Sequence, residues 1–229
     1  MAYKSRKEQI RKAFLTSLPV MAGYVILGIG FGILLAEKGY GVLWAFAMSL
    51  FVYAGSLQYA GVSMIESGVS LITCAMTSIM INARHLFYSI SMIDKYKGSG
   101  KYKPYLIFSL TDETYSLLSD GSVPEGCAPS FYRFMVSLFN HSYWVAGSVM
   151  GSLLAEALPF SAKGIEFSMT ALFVSSFSEQ WYTSKDHTSA LCGLVSSFLC
   201  LMIFGADDFL IPSMALIMLE MMILAGRRK

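Results

Sequence analysis

From Ala13 to Ala36 the chain reads AFLTSLPVMAGYVILGIGFGILLA, and from Gly39 to Ile65 it reads GYGVLWAFAMSLFVYAGSLQYAGVSMI, with no charged side chain in either stretch. About 20 helical residues rise roughly 30 Å, the thickness of a bilayer's hydrocarbon layer. Runs of this kind have no place in a compact water-soluble core. The composition agrees: of 229 residues, 55% are hydrophobic and 14% charged, where a soluble protein carries roughly 25% charged residues.

Outward from these two runs, further apolar segments fall at about 69–93, 104–119, 131–157, 165–183, 188–204 and 209–225, divided by short polar stretches. The expected fold is all-α, a polytopic transmembrane helical bundle of about 7–8 membrane segments, with broken or re-entrant helices and one transport domain over 1–229. An internal match supports duplication: Leu50 to Tyr59 aligns with Leu172 to Trp181 at an offset of 122, sharing Leu, Phe, Val, Ser and Gln. It implies repeats over 14–119 and 131–225, and repeats of this kind build many secondary transporters around a midplane site.

Charge sets orientation. Lys4, Arg6, Lys7, Arg11 and Lys12 precede the first run, and Arg227, Arg228 and Lys229 close the chain, so both ends are expected in the cytoplasm. The first run is too long for the apolar region of a signal peptide and is read as a retained helix. Eight full crossings would put Lys95, Lys97, Lys101 and Lys103 outside, against the positive-inside rule. Either a segment between 42 and 93 does not fully cross, or two pieces are re-entrant and six cross. Seven would place the tails on opposite faces.

The net charge of +2 gives no field to attract nucleic acid. Four cysteines without C-x-x-C spacing, and histidines at 85, 141 and 187 without a metal motif, point to neither a disulfide framework nor a metal or other cofactor. No nucleotide-binding loop and no nucleophile–base pair at useful spacing is present, so the chain is not read as an enzyme.

Charges in mid-bilayer cost about 2.5–3.5 kcal/mol each on insertion scales, and they normally face a protein interior or a water-filled cavity. Arg84 with His85, and Asp112 with Glu113, are the candidates. Ser78, Asn82, His85 and Ser89 share one helical face and are expected to point into the bundle. Asp112 and Glu113 sit in the middle of the segment that starts at Pro104. Two readings stay open for these charges: an ion pair that locks helices or snorkels to the interface, or part of a transport pathway. Tyr53-Ala54-Gly55-Ser56-Leu57-Gln58-Tyr59 is the other irregularity, either a close helix crossing with Gln58 as glue or a helix break that offers backbone groups to a ligand. Glu179-Gln180-Trp181 is its counterpart in the second half.

Leu18-Pro19 before a Gly-rich helix, Tyr53-Ala54-Gly55-Ser56-Leu57-Gln58, Asn82-Ala83-Arg84-His85-Leu86-Phe87-Tyr88 and Leu110-Thr111-Asp112-Glu113 stand in the order of successive motifs of the AzlC family, and over roughly 14–120 the sequence resembles that family, the large subunit of branched-chain amino-acid exporters. The resemblance implies an exporter in a bacterial or archaeal inner membrane, working with a small AzlD-type membrane subunit and without nucleotide hydrolysis. The expected substrate site comprises Tyr53, Gly55, Gln58, Asn82, Arg84, Asp112 and Glu113, with Tyr59 and Phe87 as further walls. His85, Asp112 and Glu113 are the candidates for proton coupling. The alternative from another class is a non-transporting membrane subunit that supports a partner protein.

Overall fold

The computed structural model describes residues 3–157 and 186–227, with 164, 167, 170, 171, 174, 177, 178, 181 and 182 between them; the side chains of 83, 87, 207, 208, 210, 211, 214, 218, 221, 222 and 225–227 fall outside the description. Among the described residues the chain is helical and has no strand. It divides into two compact units, Met1–Met169 and Thr170–Lys229.

The first unit is built on two long helices, α1 (Arg6–Glu37) and α7 (Pro129–Ala157). The Ser5 hydroxyl accepts the Glu8 N–H at 3.3 Å to start α1, capping one of the free amide groups of a helix N-terminus. The start of α7 is Pro129, whose missing N–H costs nothing in the first turn. The two helices run parallel: Lys4 N–H donates to the Gly126 carbonyl, Tyr132 Oη to Thr16 Oγ1, and Tyr24 packs edge-on against Trp144 at 5.6 Å. Past that level they touch backbone to backbone. A Cβ on Gly32 would lie 2.1 Å from the Ser148 carbonyl oxygen, and one on Gly151 would lie 2.1 Å from that of Ile29. Gly28, Gly32, Gly147 and Gly151 form two small-xxx-small pairs, the pattern that lets membrane helices approach most closely.

Between α1 and α7 the chain makes two hairpins and one long helix. The first hairpin is α2 (Val42–Phe51) and α3 (Gly55–Ser67). Its arms are antiparallel, since Ser49 accepts from Gln58 Nε2 at 3.3 Å and Met48 reaches the Gly61 position. It begins beside Glu156 near the end of α7 and returns to the end of α1, where Lys38 and Glu66 pair at 2.6 Å. Next comes α4 (Leu71–Met92), capped by Ser70. It runs the full length of the unit, from the end of α3 to the cluster of Ala13, Met92, Leu106, Leu118 and Tyr132 near the start of α1.

The second hairpin is α5 (Lys103–Phe108) and α6 (Asp112–Leu118), preceded by a 3-10 turn over Gly100–Tyr102. Tyr102 and Tyr105 climb α7 past Phe134, with Phe108 reaching His141. The chain then descends from Thr114, which accepts from Asn140 Nδ2, to Gly121, which accepts from Arg133. The two hairpins therefore enter from opposite ends of α7 and turn at the same level, beside residues 140–144. The segments read as single helices at 42–65 and 104–119 are each broken in the middle, at 52–54 and at 109–111.

In the second unit, α8 (Thr188–Asp208) is interrupted at Gly205, whose φ of +78° is open to glycine because it has no Cβ. It is followed by α9 (Leu210–Arg227). Ser196 Oγ on α8 donates to Glu220 on α9 at 2.8 Å. Of the described helices, Arg6–Glu37 and Thr188–Ala206 are long and apolar enough to cross a bilayer by themselves.

Candidate functional site

Both helix breaks have local causes. At the first, Tyr53 adopts φ +40° and is the single non-glycine residue with positive φ among the described residues. That conformation costs roughly 1–2 kcal/mol for an L-residue, and packing offsets it: the Tyr53 ring is buried and lies 4.1 Å from the His141 ring, centre to centre. At the second break, Thr111 is extended and its hydroxyl accepts the Thr114 N–H at 3.3 Å, which starts α6 with Asp112 and Glu113 in its first turn. Acidic side chains suit that position, because the first turn carries free N–H groups and the positive end of the helix dipole. The carboxylates thus stand at a helix start, where the sequence reading put them in mid-helix.

Arg84 on α4 ties the two hairpins together. Its Nη2 donates to Ser56 Oγ in the first turn of α3 at 2.6 Å, and its Nε lies 3.1 Å from Asp112 Oδ1. The two side chains are 27% and 28% exposed, so the pair lies at an accessible edge and not in a sealed core. The hydroxyl of Tyr88, one turn along α4, adjoins Asp112. Its ring stacks on Tyr115 at 4.5 Å.

Glu113 has different company. Tyr24 Oη donates to Glu113 Oε2 at 2.6 Å and sits 2.6 Å from Thr111 Oγ1. The Thr111 hydroxyl lies 3.1 Å from Thr114 Oγ1, which accepts from Asn140 Nδ2 at 3.0 Å. The Tyr53 hydroxyl is directed toward Tyr24, Thr111 and Glu113 yet meets no hydrogen-bond geometry. The Asn140 amide oxygen is likewise buried without a partner.

The structure separates the expected site residues into two groups. Tyr53, Arg84, Asp112 and Glu113 come together around the hairpin tips. Gln58 and Gly55 stand one layer behind: Trp144 Nε1–H donates to Gln58 Oε1 at 2.8 Å, and Gln58 Nε2 donates to Ser49. A Cβ on Gly55 would meet the Trp144 indole at 2.9 Å, so the glycine makes room for that ring. Tyr59 donates to the Leu27 carbonyl at 2.8 Å and is packed between α1 and α3. Asn82 is half-buried, with its amide oxygen unpartnered. His85 Nδ1 faces the Asn82 carbonyl of its own helix at 3.2 Å, with the Tyr88 ring edge-on to its own. Ser89 is exposed; the inward face of α4 is that of Arg84, Tyr88 and Met92, set by the ion pair and the apolar cluster. The Phe87 side chain and the residues Glu179 and Gln180 lie outside the described residues.

The structure also brings Tyr24, Thr111, Thr114, Asn140, His141 and Trp144 to the site, which the sequence alone does not single out as site residues. His141 Nδ1 lies 2.9 Å from Tyr105 Oη and Nε2 lies 3.2 Å from the Ser49 carbonyl, so Nε2–H donates to Ser49 and the Tyr105 hydroxyl partners Nδ1. The visible signal was the spacing on α7: Arg133, Ser137, Asn140, His141, Trp144, Ser148 and Ser152, all buried, recur every three or four residues and mark a polar face turned inward. Among the described residues no group of three His, Cys, Asp or Glu side chains could hold a metal ion.

The family model described as AzlC protein matches residues 19–158, a span that holds both hairpins, α4 and α7. The Bacillus subtilis protein named branched-chain amino acid transport protein AzlC is 40% identical over 208 residues, 91% of this chain and 82% of its own. A Haemophilus influenzae protein named an uncharacterized membrane protein is 41% identical over 208 residues, 90% of this chain and 85% of its own. One from Helicobacter pylori strain 26695 with the same description is 38% identical over 213 residues, 93% of each chain. No solved structure matches the chain.

Proposed function

This chain belongs to the AzlC family, and from that premise we propose that it exports branched-chain amino acids across the bacterial or archaeal inner membrane. The export is driven by an ion gradient and carried out with a small AzlD-type membrane subunit. The Bacillus relative's name supplies the substrate class. One observation carries the mechanism: two helix breaks, reached from opposite ends of the unit, meet beside an ion pair and a second carboxyl group. Irregular backbone at membrane depth is tolerated where it is buried in protein or lines a cavity, and interrupted helices of this kind form the substrate sites of secondary transporters.

On this reading α1, α4 and α7 cross the bilayer, and the hairpins α2–α3 and α5–α6 re-enter from opposite faces. Among the described residues of this unit, Lys4, Arg6, Lys7, Arg11, Lys12, Lys95, Lys97, Lys101, Lys103 and Arg133 then share the N-terminal face, and the opposite face has Lys38. That asymmetry supports a cytoplasmic N-terminus and removes the misfit of the Lys95–Lys103 stretch. The stretches 14–119 and 131–225 are proposed to descend from one duplicated unit.

A zwitterionic substrate needs donors for its carboxylate and acceptors for its ammonium group. Arg84 and the amide groups at the start of α3 suit the first. Asp112, Glu113 and the Tyr53 hydroxyl suit the second, with Asn82 at the margin and Gln58 and Gly55 holding the tip in place through Trp144. One of His85, Asp112 and Glu113 takes the coupling proton.

The test is reconstitution of the chain, with and without its partner subunit, into vesicles preloaded with labelled leucine. Export is expected with the pair and is expected to fall in Arg84→Ala and in Asp112→Asn. Unchanged export in both variants would place the site elsewhere.

A further inference from the structure

We infer that Glu113, and not Asp112 or His85, is the residue whose proton is coupled to transport, and that Tyr24, Thr111 and Thr114 form a reversible hydroxyl chain carrying its protonation state from α6 to α1 and α7. The inference rests on the transport reading above and adds the identity of the coupling group.

The two neighbouring carboxylates differ in what they can tolerate. Asp112 is paired with Arg84, at 3.1 Å. Guanidinium groups donate and never accept, so a proton on Asp112 gains no partner in Arg84 and removes the charge that holds the pair joining the hairpins. Glu113 is held by a hydroxyl, and a hydroxyl can donate or accept. As a carboxylate, Glu113 accepts from Tyr24 at 2.6 Å, and Thr111 can donate to Tyr24 at 2.6 Å. As an acid, Glu113 donates to the Tyr24 oxygen, the Tyr24 proton turns to Thr111, and the Thr111 proton turns to Thr114 at 3.1 Å. Asn140 Nδ2 donates to Thr114 at 3.0 Å in either case. One proton added to one carboxylate oxygen reverses the Glu113–Tyr24 and Tyr24–Thr111 bonds and frees the Thr111 proton for Thr114, so the protonated state has one hydrogen bond more. His85 makes its hydrogen bond within its own helix, so its protonation has no comparable line to another element.

The remaining groups around Glu113 fit this division. The Tyr53 hydroxyl comes from the first hairpin tip, aimed at the cluster and without a hydrogen bond, so it is placed to meet either an acid proton or a substrate ammonium group. Arg84 and Tyr88 approach from α4, both electrostatically linked to Asp112 as well. Asp112 adjoins Glu113 on α6, and α7 brings His141 against the Tyr53 ring. The competition for the Glu113 carboxylate between a proton and the ammonium group is the coupling: substrate binding would release the proton, and reprotonation would release the substrate.

The experiment compares wild type, Glu113→Gln and Asp112→Asn, each with its partner subunit in vesicles. Leucine counterflow without a gradient is read beside leucine movement driven by a pH gradient. Glutamine keeps a donor and an acceptor but cannot titrate. Counterflow in Glu113→Gln is expected to persist at a reduced rate, because the ammonium group loses one charged acceptor while Asp112 and Tyr53 remain, and the pH-gradient stimulation of that remaining movement is expected to fall on the order of tenfold, a usual size for coupling between two sites. A wild-type response to the gradient in Glu113→Gln would overturn the inference. Should that variant fail to assemble, pH-difference infrared spectra of the purified wild type, Tyr24→Phe and Asp112→Asn decide. A protonated-carboxyl band that shifts in Tyr24→Phe and persists in Asp112→Asn supports Glu113, and no Tyr24-sensitive band contradicts it. Such a band in a wild-type protein that carries no leucine would sink the proposed substrate and leave the proton site standing.

Discussion

The seam between α1 and α7 and the meeting point of the two hairpins lie within one unit, yet they are built on opposite physics. Along the seam, Gly28, Gly32, Gly147 and Gly151 open the α1–α7 contact so that backbone lies on backbone at those positions. At the hairpin tips the chain keeps a positive-φ tyrosine, an ion pair at an accessible edge, and buried polar atoms on Tyr53 and Asn140 without partners. The seam has one arrangement it can adopt. The tips hold groups that can exchange partners, which is what a site that binds and releases must do. A fixed frame beside an adjustable centre is the arrangement that rocking of hairpins against a scaffold needs.

The comparison breaks first at the seam. Gly32→Val or Gly151→Val drives a Cβ to 2.1 Å from a backbone oxygen; backbone cannot step aside as a side chain can, and overpacking costs about 1–3 kcal/mol or more. Both variants are expected to lose assembly, read as a collapse of the folded fraction in detergent by size-exclusion and thermal melting. Next is the ion pair. Arg84→Ala strands Asp112 and should destabilise by about 1–3 kcal/mol, the range for losing a hydrogen bond to a charged group, held below the fully buried figure by the pair's partial exposure. A double-mutant cycle with Asp112→Asn should return a coupling energy of about 0.5–3 kcal/mol; zero coupling would show that the pair does not join the hairpins.

Trp144→Phe keeps the ring over Gly55 but leaves the buried Gln58 carbonyl without its donor, a loss of about 1 kcal/mol. Its melting temperature should fall less than that of Arg84→Ala, and leucine export should persist. Tyr53→Phe is the smallest in stability, within about 0.5 kcal/mol, because the hydroxyl it removes has no partner to lose. Export should nonetheless fall severalfold. Export at the wild-type rate would remove the Tyr53 hydroxyl from the site.

Much of the frame was legible in sequence, because long charge-free runs admit few folds and helix ends coincided with polar punctuation such as Glu37-Lys38-Gly39 and Glu66-Ser67-Gly68. The run of small residues around Gln58 admits two readings, a close helix crossing or a break, and the structure has the break at Tyr53 with Gln58 packed behind it. The break at Ser109 to Thr111 was hidden, since Leu110-Thr111 in an apolar stretch reads as helix and the capping role of Thr111 appears only once the chain has turned. The pairing of Arg84 with Asp112 is one of the two arrangements that charges in an apolar segment allow. The fate of Gln58 depended on Trp144, and that of Glu113 on Tyr24, partners 86 and 89 residues away along the chain. Contacts at that separation are set by how α1 and α7 pack, and no local pattern encodes them.

The central claim is that α2–α3 and α5–α6 turn back at a shared level instead of crossing. In a chain freed of Cys74, Cys127, Cys192 and Cys200, single cysteines at Glu37, Ser67, Lys97 and Asp120, all exposed, can be labelled in intact cells and in inverted vesicles with a membrane-impermeant thiol reagent. Positions 37 and 67 should label from one face and positions 97 and 120 from the other. Labelling of 37 and 67 from opposite faces would mean that α2 and α3 cross the membrane, and the meeting of the hairpin tips would be lost with it.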